Sequence, residues 1–195
     1  MDKTNLADSL LKAFKNPTKL SIIALLFKNK EMTVTQISKI LKTTRSNLYQ
    51  SIKDLLKEKI ILISRVQITK NYIEKYYKIN EELFNKVKRI NLIEKIKETN
   101  ENDFRELMIS FLVMNSFISN VFIQELKIAS SEELNSFKEK FLNGLITVYF
   151  STLNEEEAKD FNKIFYTFMD KIEKEENLKD ETNLLLTIVL PWKLA

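Results

Sequence analysis

Arg45, Ser46, Asn47, Tyr49, Gln50 and Lys53 crowd one short stretch, "TTRSNLYQSIKDLLKE", and all of them are groups that bind rather than react. Arginine offers a planar fork of donors that fits a guanine edge or a phosphate, and the amides of Asn47 and Gln50 can pair at two points with adenine. The hydroxyl of Ser46 suits a base or a phosphate. Bond-making chemistry is poorly provided for. The chain has no cysteine and no histidine, which removes thiolate nucleophiles, histidine-based triads, disulfides and His/Cys zinc sites. A single glycine rules out phosphate-cradling loops and dinucleotide fingerprints, which need several. The acid run Glu155, Glu156 and Glu157 falls at an expected helix start, where carboxylates complement the helix dipole, and no calcium-loop spacing is found. The sequence therefore predicts no enzyme, no cofactor and no bound metal.

What must position the polar set is a pair of short helices. Leu48, Ile52 and Leu55 recur at helix spacing and predict a helix over about 44–58, capped by Thr43 or Thr44, with its polar residues turned outward. Before it, the capping box Thr33-x-x-Gln36 opens a helix over Val34–Leu41 that turns Val34, Ile37, Ile40 and Leu41 inward. Only "KTT" separates the two, so they must cross steeply, as in a helix-turn-helix. Two helices are expected upstream: Asn5–Lys15, and one capped by Asn16 with Pro17 at its first position. Downstream, "KIILISRV" and "YIEKYYKI" read as strands around the polar tip "QITKN", a hairpin whose outer part spans about 66–72. Tyr72, Tyr76 and Tyr77 read as packing residues with hydroxyls at the rim.

Charge divides the 195-residue chain. Residues 1–90 carry 19 Lys and Arg against 8 acids, a net of +11, whereas residues 91–195 carry 12 against 19, a net of −7. A basic front suits a polyanion and an acidic rear suits another task. Beyond residue 80 only helical signals appear: a stripe Phe84, Val87, Ile90, Ile93, Ile96; an apolar helix from about Asp103 to Ile128; a helix capped by Ser130-x-x-Glu133 and reaching about Leu153; and one capped by Asn154-x-x-Glu157. Asn115, Ser116, Ser119, Asn120 and Gln124 interrupt the apolar helix, which predicts a buried central helix and no membrane partner. The phenylalanines of this half, Phe104, Phe111, Phe117, Phe122, Phe141, Phe150, Phe161, Phe165 and Phe168, suit a core or dimer interface, with a small-molecule effector site between helices left open. The N-terminus has acids and no apolar signal core, and the absence of cysteine fits a reducing compartment, so a cytoplasmic location is expected.

The segment from "NPTKLSIIALLFKNKE" through "MTVTQISKIL", "SNLYQSIKDLLKEKII" and "EKYYKI" resembles the winged-helix domain of the ArsR-like transcriptional regulators, particularly archaeal members with a helical C-terminal extension. The resemblance covers about residues 5–80. It implies a mainly α fold, with an N-terminal winged helix-turn-helix of three helices and a β-hairpin wing over residues 1–80, and a C-terminal all-helical dimerisation domain over 81–195. It also implies a homodimer on double-stranded DNA, with the helix near 44–58 in the major groove and the wing at the backbone or minor groove. Arg45, Ser46, Asn47, Tyr49, Gln50 and Lys53 would then face bases; Thr33, Thr35, Gln36, Lys42, Thr43 and Thr44 lie near helix N-termini that attract phosphates, Thr33 being equally well explained as a cap. In the wing, Arg65, Gln67, Thr69, Lys70 and Asn71 are the backbone or minor-groove candidates. The family often has glycine at the turn and at the end of the recognition helix; Lys42 and Lys59 stand there instead and must take a left-handed conformation. Metal-sensing members rely on cysteine and histidine, which this chain lacks. The alternative is a protein-binding winged helix with a helical adaptor, which has less use for the basic front.

Overall fold

In the computed structural model, residues 3–69, 72–86, 89–143 and 153–174 are described. The elements run α1 (Lys3–Phe14), α2 (Pro17–Asn29), β1 (Glu31–Thr33), α3 (Val34–Ile40), α4 (Arg45–Lys57), β2 (Ile61–Thr69), β3 (Tyr72–Ile79), α5 (Glu81–Lys86), α6 (Arg89–Lys97), α7 (Glu101–Ile128), α8 (Ser131–Leu142) and α9 (Glu155–Lys174). The fold is mainly α, with a small antiparallel sheet ordered β1-β3-β2. Two compact units are formed, Met1–Ile128 and Ala129–Ala195, so the compact boundary falls at 128/129 and not at residue 80.

Local chemistry sets the helix ends. The Asn16 side chain accepts from the Lys19 amide at 3.0 Å with Pro17 at the first position of α2, and Thr33 and Gln36 cap α3 reciprocally. α3 and α4 both end in a Schellman turn. The Ile60 amide donates to the Leu55 carbonyl at 2.9 Å and Lys59 to Leu56 at 3.0 Å; Thr43 donates to Ser38 at 3.0 Å and Lys42 to Lys39 at 3.3 Å. Such a turn needs a left-handed residue at its hinge. Lys42 (φ 51°) and Lys59 (φ 57°) take that conformation, as the resemblance implies of them, and Lys30 (φ 59°) has a positive φ too. A lysine Cβ is strained there, so Lys42→Gly and Lys59→Gly should each raise stability by about 1 kcal/mol, read as a higher urea midpoint. A lower midpoint would contradict the left-handed assignment.

The core of the first unit joins α1–α4 and the sheet. Leu10, Ile22, Leu25, Leu26, Ile37 and Leu48 are essentially closed to solvent. Phe84, Leu92 and Phe117 pack against this core from α5, α6 and α7.

Four expectations are corrected. The sheet has a third strand: β1 pairs with β3, Met32 opposite Tyr77. β2 continues through Gln67, Ile68 and Thr69, which pair with Glu74, Ile73 and Tyr72; β-branched residues on both strands prolong the ladder into what reads as a polar turn. α7 is not a buried central helix, because only Leu107, Ser110 and Ile118 are buried along its 28 residues. α8 stops at Leu142, with the Asn143 amide bonding to the Glu139 and Phe141 carbonyls. Residues 144–152, over which this helix was expected to continue, lie outside the described residues. Val87 and Phe150 lie outside the described residues. No residue of α8 is buried, and in the same unit Phe161 stacks on Phe165 with ring centroids 6.3 Å apart.

Candidate nucleic-acid interface

α4 is anchored on one side and open on the other. Leu48, Ile52 and Leu55 are buried. Two polar ties hold the rest of its inner edge: Lys19 Nζ donates to Asp54 at 2.7 Å, fixing α4 to α2, and Ser9 Oγ donates to Glu58 at 2.7 Å, fixing its end to α1. The Lys19 ammonium, with the Gln50 amide, holds the Asp54 carboxyl below the usual carboxylate range. The one acid in the middle of α4 is thus matched by a cation behind it, leaving Arg45, Lys53 and Lys57 as its exposed charges.

The outward face is the polar set read from sequence. Arg45, Ser46, Asn47, Tyr49, Gln50 and Lys53 are all exposed. Thr44 is the cap, accepting from the Asn47 amide at 3.3 Å, and the Asn47 side chain donates to the Thr43 hydroxyl at 3.3 Å. Gln50 donates to Asp54 at 2.6 Å. No hydrogen bond or ion pair among the described residues engages Arg45, Ser46 or Lys53. Arg45 is therefore the least committed donor fork at the helix start, where a groove-bound helix meets base edges.

The approach to α4 is less uniform. Thr33 is buried, and its hydroxyl accepts from the Gln36 amide at 3.2 Å while the Gln36 side chain takes the Thr33 amide at 2.8 Å. Both groups are engaged in the capping box. Thr35 is half-buried, and Lys42 is exposed at the strained turn.

In the wing, Arg65 is held from two sides. Its Nε donates to Glu31 at 2.8 Å across the intervening β3, and its guanidinium carbon lies 3.4 Å from the centre of the Tyr76 ring. The register of β2 against β3 shifts between Ile63 and Arg65. This bulge lets the neighbouring Ser64 reach the same carboxylate, at 2.7 Å. The Ser64 hydroxyl and Arg65 together hold the Glu31 carboxyl below its ordinary range. Gln67 accepts from the Tyr76 hydroxyl at 3.2 Å. Thr69 ends β2, and Lys70 and Asn71 lie outside the described residues. Tyr77 is a core residue, and burial pushes its hydroxyl pKa up.

Sequence reading did not find the Glu31, Ser64 and Tyr76 cluster or the Lys19–Asp54 tie, because each joins residues on different elements. The one local trace is Glu31, an acid in a basic stretch.

No curated protein matches the chain. Residues 16–61, from the cap of α2 through α4 into β2, match the model of a family described as bacterial regulatory protein, arsR family. Over these residues, about a quarter of the chain, the front of the protein is similar to the helix-turn-helix of the arsR-family regulatory proteins.

Proposed function

We propose that the protein is a homodimeric, sequence-specific transcription regulator of double-stranded DNA, without enzymatic activity, acting in the cytoplasm. α4 enters the major groove, which accepts one α-helix. Arg45 reads a guanine, Asn47 and Gln50 face neighbouring bases, and Lys53 meets the backbone. The wing lies along the flanking backbone. Residues 1–80 carry the DNA and the acidic helices beyond them carry assembly.

The observation that supports this most is the contrast across α4: a buried, doubly tied inner edge behind an outer face of exposed donors and acceptors. A helix that must reach base edges benefits from such pre-organisation, because the position of the helix is already fixed in folding and only its outer side chains remain to be ordered. Within the wing, Glu31 neutralises the charge of Arg65, so Lys53 and the exposed, unpaired Arg45 carry more of the contact.

Fluorescence anisotropy of a labelled duplex, titrated across salt, tests the reading. Binding that uses several phosphates gives a log K against log salt slope of about −0.9 for each one neutralised, so a slope steeper than about −4 is expected. A flat slope, or no binding at low salt, would remove the DNA assignment.

A further inference from the structure

The two sides of α7 differ. One is tied to the front of the fold: Ser110 Oγ donates to the Lys15 carbonyl at 2.8 Å, Lys15 pairs with Asp103 at 2.9 Å, Lys28 pairs with Glu125, and Phe14 meets Phe111 at 5.9 Å. The other side carries Ile109, Leu112, Ser116, Ser119, Ile123 and Leu126, every one exposed. Their steps along the chain are 3, 4, 3, 4, 3. That alternation is the seam of a helix that packs lengthwise on another helix.

The seam reads the same from either end: aliphatic, aliphatic, serine, serine, aliphatic, aliphatic. A two-fold contact between identical chains needs a patch that complements itself. On a helix, this palindrome does so when two copies run antiparallel about an axis between Ser116 and Ser119. Ile109 then meets Leu126 of the second copy, Leu112 meets Ile123, and Ser116 meets Ser119. The serines stand where the axes cross, and small side chains allow the closest approach there.

Charge selects the same direction. Glu106 flanks one end of the seam and Lys127 the other, so antiparallel copies set Glu106 beside Lys127 twice. A parallel pair would set Arg105 against Arg105 and Lys127 against Lys127. By length and composition alone α7 is also long and apolar enough to cross a membrane, but a bilayer offers nothing to the ion pairs of Asp103 and Glu125. We infer that α7 is the homodimer interface, paired antiparallel with α7 of a second copy about Ser116 and Ser119.

This rests on the homodimer reading above, and the test separates the two. The full chain and its Leu112→Glu/Ile123→Glu variant are compared by sedimentation equilibrium, with circular dichroism as a check on folding; both side chains are exposed, so the variant keeps the helical signal. The expected result is a dimer for the natural chain and a monomer for the variant. Because the chain has no cysteine, Asn102→Cys accepts one nitroxide per copy. At about 1.5 Å of rise per residue, the antiparallel pair separates the two labels by about 45 Å in pulsed electron resonance, and a parallel pair brings them within about 20 Å. A short distance overturns the antiparallel arrangement. A variant that stays dimeric overturns the seam and leaves the homodimer standing. A natural chain that is monomeric, or that associates only with phosphatidylcholine vesicles, overturns both.

Discussion

Leu48→Ala is expected to cost about 2–5 kcal/mol of folding stability. The side chain is 1% exposed and sits where the inner face of α4 meets the core of α1–α3 and the sheet. Truncation removes three carbons from a site whose neighbours, Ile37, Ile52 and Leu55, are held by their own packing and cannot all collapse inward. Against a total domain stability of about 5–15 kcal/mol, that loss places the protein near its unfolding threshold. Urea denaturation checks it. The midpoint should fall sharply, while Lys53→Ala on the outer face of the same helix should move stability by no more than about 0.5 kcal/mol. Similar effects from the two would mean that α4 is not anchored by the face described.

Arg45→Ala is expected to weaken binding to a preferred duplex by about 1–3 kcal/mol, roughly 5- to 160-fold, with folding unchanged. The residue is exposed and unengaged at the start of α4, so its truncation removes a recognition group and little else. The loss should be confined to duplexes that hold the preferred base. A uniform loss on all duplexes, with a salt slope shallower by about one, would make Arg45 a phosphate contact instead. Arg65→Ala should act differently. That guanidinium is occupied by Glu31 and Tyr76, so its removal disturbs the wing more than it removes a free charge.

Most of the architecture that carries α4 was legible because its signals are local. Thr33-x-x-Gln36, Asn16-Pro17, Ser130-x-x-Glu133 and Asn154-x-x-Glu157 each place a helix start within a few residues, and each cap forms. The left-handed lysines were legible only through the family resemblance, which implies glycine-like positions where Lys42 and Lys59 stand. β1 was not legible, since three residues carry no period and its pairing with β3 is decided by a distant strand. Nor was the capture of Arg65, which depends on a bulge and on a carboxylate two strands away. α7 misled because its composition is that of a buried helix, while only one side of it packs against the other helices of its unit. In the candidate interface, the outer face of α4 was read residue by residue from the helix period. What the sequence could not distinguish was an exposed donor from one already spent within the fold, as with Thr33 and Arg65.

The central claim is that α4 reads base sequence in double-stranded DNA from a two-fold assembly. Selection of bound duplexes from a random library by the full-length chain tests it most directly. The predicted result is an enriched site of two inverted half-sites with centres about 10 base pairs apart, whose enrichment is lost with Arg45→Ala. A bound pool with the same composition as the input, at salt concentrations where binding persists, would contradict it.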